Sequence, residues 1–233
     1  MPDIADGLLY YIVFLFSTTL HEAAHAWAAA RGGDLTAYHG GQVSLNPIPH
    51  IRREPIGMVV LPLLFVVTTG WPLGFASAPY DRQWASRYPR RAAWMALAGP
   101  AANFLLMLIA VALVWIGVHT GLIFAPDRVG FGDVADTHAG GLWPGTIHLV
   151  GVLFSLNLLL GTFNLLPFPP LDGSGAVPLF LGPESTRRYQ DFIWGTPAIG
   201  LIGMLVAWRL FDVLFDPIFT ASLSLLYPGT SYH

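Results

Sequence analysis

The feature that most restricts this chain is His21-Glu22-Ala23-Ala24-His25, placed at the end of an apolar run that begins at Gly7. Two histidines four apart on a helix lie about 40° apart around its axis and about 6 Å apart along it. Both imidazoles can therefore reach one metal ion, with Glu22 held beside it. Ionisable side chains in an apolar helix are costly to bury without a use. The rest of the chain must therefore supply what completes the site and a place for it in a membrane.

Composition agrees with that setting. Of the 233 residues, 54% are hydrophobic and 11% charged, with a mean hydropathy of +0.57; soluble domains average about 25% charged residues. A soluble protein with a large core would need a charged outer surface that this sequence lacks, so an integral membrane protein is predicted. Cysteine is absent, which excludes a disulfide framework, a thiol nucleophile and cysteine-bound zinc. A metal must be held by His, Asp or Glu. A net charge of −3 with no basic tract argues against nucleic acid. A secretory signal is rejected: its start would be basic, whereas Asp3 and Asp6 are acidic. Cleavage at the A-x-A-like sites of Ala26 to Ala30 would also discard the histidine motif.

Hydropathy and breaker residues predict an all-α polytopic membrane protein, forming a single domain over residues 1–233. About four spanning helices are expected, with a re-entrant or short helix and a small membrane-associated β segment. Gly7 to Ala30 is the first span, long enough to cross with some tilt. Gly40 to Pro47 reads as a short strand between a glycine turn and a proline. Pro55 to Gly70 is too short for an easy crossing and carries Pro62, which fits re-entry. Trp71 to Arg91 reads as a polar loop. Ala92 to Val118 is the second span, Thr146 to Leu166 the third and Thr196 to Phe215 the fourth, followed by an interfacial tail to His233.

Arginine is concentrated in the loops 31–55, 71–91 and 173–195, while loop 119–145 is acidic. Cytoplasmic loops carry the excess of arginine. If Pro55 to Gly70 re-enters, the three arginine-rich loops share the cytoplasm and both termini lie outside. His21 then sits toward the cytoplasmic face.

A catalytic zinc takes three protein ligands and leaves a position for water. His21 and His25 provide two. Asp172 is the leading candidate for the third, because it follows a long apolar helix and the break Pro167-Phe168-Pro169-Pro170, on the same side as His21; Gly173 permits a turn after it. An ordinary helix-terminating Asp in a cytoplasmic turn is the competing explanation. Glu22 would act as general base. An extended substrate could pair with an edge at Gln42, Val43, Ser44 and Leu45, and Asn164 could hydrogen-bond its backbone. Asn103 reads as an interhelical hydrogen-bonding residue or a direct contact in the site. His39 and His50 read as polar loop residues, with His50 also a candidate to contact substrate. The remaining histidines receive no role.

Three motifs in order carry a family likeness: His21 to His25, Gly99-Pro100-Ala101-Ala102-Asn103, and Asn164-Leu165-Leu166-Pro167-Phe168-Pro169-Pro170-Leu171-Asp172-Gly173. Together with Leu45-Asn46-Pro47-Ile48-Pro49-His50, the sequence resembles the site-2 protease family of intramembrane zinc metalloproteases, peptidase family M50, over about residues 7 to 215. The resemblance implies one zinc held by His21, His25 and Asp172, Glu22 as base, and Asn164 near the substrate backbone. It also implies a transmembrane protein as substrate and a multi-pass location in the cell membrane. The chain departs from larger members in lacking a PDZ insertion, a CBS domain and a helix before the metal motif. A non-catalytic binder of helices or metal would have no need of Glu22. A metal-ion transporter should show paired broken helices or inverted repeats, and neither is evident.

Overall fold

The computed structural model describes residues 4–196 and 198–228; His233 and the end of the expected tail lie outside them. Ten helices order the described chain: α1 (Ile4–Gly32), α2 (Thr36–His39), α3 (Pro47–Arg53), α4 (Ile56–Thr69, opening with a π-helical turn), α5 (Arg82–Arg87), α6 (Pro89–His119), α7 (Trp143–Asn164), α8 (Asp172–Ala176), α9 (Pro183–Gly195) and α10 (Ile199–Leu226). Among the described residues three helices, α1, α6 and α7, are long and apolar enough to cross a membrane. α6 and α7 start about three residues before the sequence expectation, because Pro89 and Pro144 sit in their first turns, where the missing N–H costs nothing. α10 has 28 residues but carries Arg209, Asp212 and Asp216. It joins the count only as one bent unit with α9, so a fourth crossing is not established.

α6 lies between α1 and α7. Leu8, Ile12 and Phe16 of α1 and Leu105, Leu108 and Ile116 of α6 face outward, while Ser17, His21, Glu22, His25, Asn103 and Asn157 are buried. A polar interior inside an apolar exterior is what lipid as solvent requires. At one end, loop 119–142 folds back so that Ile123 and Val134 join Val114, Phe154 and Leu223 in the main apolar core.

The strand expected at Gly40 to Pro47 does not form. Residues 43–45 are bends, and no β-strand occurs among the described residues. The cause is local side-chain chemistry: Ser44 Oγ accepts from the Asn46 N–H, and Asn46 Oδ1 caps α3 by accepting from Ile48 N–H. These bonds turn the chain into a helix instead of leaving an edge.

The segment after α3 descends and returns. Gly70 at the end of α4 lies against Gly7 near the start of α1, so α4 runs out toward that end. Extended backbone then comes back: Phe75 N–H donates to Gly57 O, Arg53 Nε donates to Ser77 O, and Asp81 N–H donates to an Asp34 carboxylate oxygen just past the other end of α1. The first half of the expected polar loop Trp71 to Arg91 is therefore a rising arm packed back along α3 and α4.

Asp34 ties that arm down. It is buried and accepts from Thr36 N–H at 2.9 Å and Asp81 N–H at 2.8 Å. Burial pushes its carboxyl up, but the Thr36 and Asp81 donors outweigh this and hold it below the ordinary aspartate value of 3.8. Its stabilisation is therefore full above the unfolded value and fades as pH falls through the lower folded one. Asp34→Ala should destabilise the detergent-solubilised protein by about 1–3 kcal/mol at neutral pH. In thermal melts, the gap from wild type should narrow as the pH is lowered below 3.8.

Candidate metal centre and cleft

His21 and His25 project from the same face of α1, and each ring is held through its Nδ1. His25 Nδ1 lies 2.7 Å from the Met95 carbonyl oxygen on α6. A carbonyl can only accept, so Nδ1 carries the hydrogen and Nε2 is a lone pair. His21 Nδ1 lies 2.6 Å from Asn103 Oδ1. The Asn103 nitrogen is committed to Asn157 Oδ1 at 2.9 Å, so His21 also presents a lone pair at Nε2.

The two Nε2 atoms are 3.0 Å apart. Asp172 closes the group, with Oδ2 3.0 Å from His21 Nε2 and Oδ1 3.3 Å from His25 Nε2. With both rings neutral, two lone pairs and a carboxylate thus converge, and Asp172 Oδ2 is buried without a donor. Such a cluster is repulsive unless it encloses positive charge. Atoms bonded at about 2.0–2.1 Å to one tetrahedral ion lie about 3.3–3.4 Å apart, close to the separations found. Neutral imidazoles and a carboxylate are also the donor set that suits zinc. One carboxylate oxygen of Glu22 lies within 4.8 Å of the ligand nitrogens of both histidines, and Glu22 Oε2 is buried with no hydrogen-bond partner.

Two glycines make this approach possible. A Cβ on Gly99 would run into the Nε2 atoms of both histidines, so α6 can cross α1 at the site only with glycine there. Gly173 is pressed against the carbonyls of Leu165 and Leu166; its role is room for the chain to double back, not a left-handed turn. Beyond it, Ser174 Oγ donates to Leu171 O at 2.7 Å and Tyr189 Oη donates to Ser174 O at 2.7 Å, which fixes α8 and with it Asp172.

Glu22, His25 and Asp172 open on a cleft of about 240 Å³. Ala76, Ser77, Ala78 and Tyr80 of the rising arm also line it, with Tyr189, Gln190 and Trp194 of α9. None of these seven was marked by the sequence; the small-residue run Ala76-Ser77-Ala78 was the available signal. Among the described residues no hydrogen bond occupies the backbone N–H of Ala76 or Ala78. Ser77 is braced from behind, its hydroxyl donating to Glu54 Oε1 at 2.6 Å.

The other expected substrate contacts do not line this cleft. Asn164 donates to Leu160 O within its own helix at 3.0 Å. Gln42 is buried, Val43 and Ser44 are half-buried, and His50 is buried with Nε2 3.0 Å from Ser44 O. Asn103 serves as the bridge from His21 to Asn157. At the other end of the bundle, His148 pairs with Asp133 at 2.8 Å.

Comparison with known proteins places this geometry among relatives. The profile described as "Peptidase family M50" matches residues 9–203. The chain is 27% identical to "Putative zinc metalloprotease YwhC" of Bacillus subtilis, covering 91% of this chain and 99% of that protein. It is 33% identical to "Putative zinc metalloprotease Rip2" of Mycolicibacterium smegmatis and 35% identical to the protein of the same name from Mycobacterium tuberculosis. Each of those matches covers 75% of this chain and 58% of the relative. No solved structure matches the chain.

Gly99→Ala tests the crossing. The added methyl displaces the ring nitrogens, so zinc content of the purified protein should fall well below one per chain. Ala98→Gly, one residue away, should leave it unchanged.

Proposed function

The chain belongs to peptidase family M50 and is a zinc metalloprotease; we propose that it hydrolyses peptide bonds in or beside the transmembrane segments of membrane-tethered proteins, as in regulated intramembrane proteolysis. The observation that carries this reading is the buried convergence of His21, His25 and Asp172 around an unpartnered Glu22 carboxylate, inside a bundle whose outer face is apolar.

His21, His25 and Asp172 would hold the zinc. Glu22 shares the neighbourhood, but Asp172 is the carboxylate within 3.3 Å of both Nε2 atoms, which leaves Glu22 as the base. When bound there, zinc would supply Lewis acidity that polarises a carbonyl and lowers the pKa of water from about 15.7 to about 7. Glu22 takes the proton from the attacking water as the new C–O bond forms, and passes it to the amide nitrogen as the C–N bond breaks.

A scissile bond in an intact helix has its carbonyl engaged within that helix, so the substrate must be drawn out into extended form. The unoccupied N–H groups of Ala76 and Ala78 along the cleft favour the rising arm as the edge on which it pairs, in place of Gln42 to Leu45. Asn164 lies just before the break that carries Asp172; its amide is free to serve substrate only on leaving Leu160 O.

The whole chain acts as one membrane-embedded unit, with the metal nearer the cytoplasm and both termini outside. Supporting this, the arginine-rich segments meet at one end of the bundle: Arg91 Nη1 and Trp84 Nε1 both donate to Gly32 O, and Gln190 Nε2 donates to Ala85 O.

In liposomes, wild type should cut a labelled transmembrane substrate, and Glu22→Gln should lower the rate about 10²–10⁴-fold while keeping one zinc per chain. Equal cleavage by both would overturn Glu22 as the base. Asp172→Ala should lose zinc affinity, and full retention would remove Asp172 from the ligand set.

A further inference from the structure

We propose that Asn157, on α7 and outside the metal cluster, is a positioning residue that makes His21 a metal ligand by fixing which way the Asn103 amide points. The inference rests on the reading of His21 Nε2 as a zinc ligand.

The orientation is set by one backbone atom. Leu153 O can only accept, and Asn157 Nδ2 lies 2.8 Å from it. The same nitrogen is 2.9 Å from Ser17 Oγ on α1. The Asn157 amide therefore has its nitrogen turned to these two acceptors and its oxygen turned to α6. There Oδ1 accepts from Asn103 Nδ2 at 2.9 Å. With its nitrogen engaged, Asn103 offers only oxygen to His21 Nδ1, 2.6 Å away. The proton of the neutral ring is held at Nδ1, and Nε2 is left bare for the metal.

Ser17, Asn103 and Asn157 are all 0% exposed, so bulk water cannot replace any link. Without the Asn157 oxygen, the Asn103 amide can rotate and present its N–H₂ to Nδ1. The ring proton then moves to Nε2, where it blocks the metal. The chain Leu153–Asn157–Asn103–His21 thus carries one bit of information, the direction of an amide, from a backbone carbonyl of α7 to a metal-binding nitrogen of α1.

The test is zinc affinity, measured by competition with a chelating dye on the full chain in detergent. Asn157→Leu removes the oxygen at similar volume, while Asn157→Asp, buried as the neutral acid, keeps an O–H for Leu153 O and an oxygen facing Asn103. Asn157→Leu should bind zinc about 10–100-fold more weakly, whereas Asn157→Asp should stay within about threefold of wild type, the tenfold lower bound for a lost outer-shell partner not being reached. Asn157→Ala carries the same expectation as leucine if the larger side chain does not fit. Adding Asn103→Asp to the leucine variant should restore affinity, because a carboxylate accepts whichever way it turns. Wild-type affinity in both leucine and alanine variants, equal loss in the leucine and aspartate variants, or failure of the Asn103→Asp rescue would each overturn the proposal. His21→Ala separates the two readings: if it keeps full zinc affinity, the ligand assignment itself fails.

Discussion

Everything else in this protein is arranged around a repulsion. Two imidazole lone pairs and a carboxylate are brought within 3.0–3.3 Å of one another in a buried site. A cation converts that repulsion into coordination. Each Nδ1–H is tied to an acceptor on α6, so a neutral ring cannot turn its hydrogen inward to relieve it, and only an added cation, a proton or a metal ion, can. The helix crossing at Gly99, the α1–α6–α7 polar chain and the doubled-back segment before Asp172 all keep these acceptors facing one another.

The second constraint is lipid. Among the described residues three helices are apolar enough to cross, and Ser17, His21, Glu22, His25, Asn103 and Asn157 are turned inward. Backbone that is not helical is tolerated at such depth only inside protein or beside a water-lined cavity. The rising arm after α4 meets that condition. Its polar groups are met by Gly57, Arg53, Glu54 and Asp34 on one side, and Ala76, Ser77, Ala78 and Tyr80 line the cleft. The irregular backbone that sets this bundle apart from a simple helical one thus borders the cleft beside Glu22, His25 and Asp172.

Much of this was legible in the sequence because it rests on local patterns. The spacing of His21 and His25 is a property of one helix, and the long apolar runs announced α1, α6 and α7. Asp172 could be singled out because the proline break ends an apolar helix on the same side as His21, and the structure brings it within 3.3 Å of both Nε2 atoms. The strand at Gly40 to Pro47 was misread because glycine and proline bound turns as well as strands; the deciding interactions were the short Ser44 and Asn46 side-chain bonds. Trp71 to Arg91 looked like a loop because extended backbone buried by tertiary contacts has no periodicity of its own. The role of Asn157 was also hidden, since an asparagine in an apolar helix shows that it has partners but not which way its amide faces.

The account stands most directly on the coordination sphere of the metal. X-ray absorption spectroscopy of the zinc-loaded full-length protein should show four light-atom neighbours at about 2.0–2.1 Å, two of them with the outer-shell scattering of imidazole. A single imidazole, or six oxygen neighbours at longer distance, would contradict the proposed cluster of His21, His25 and Asp172.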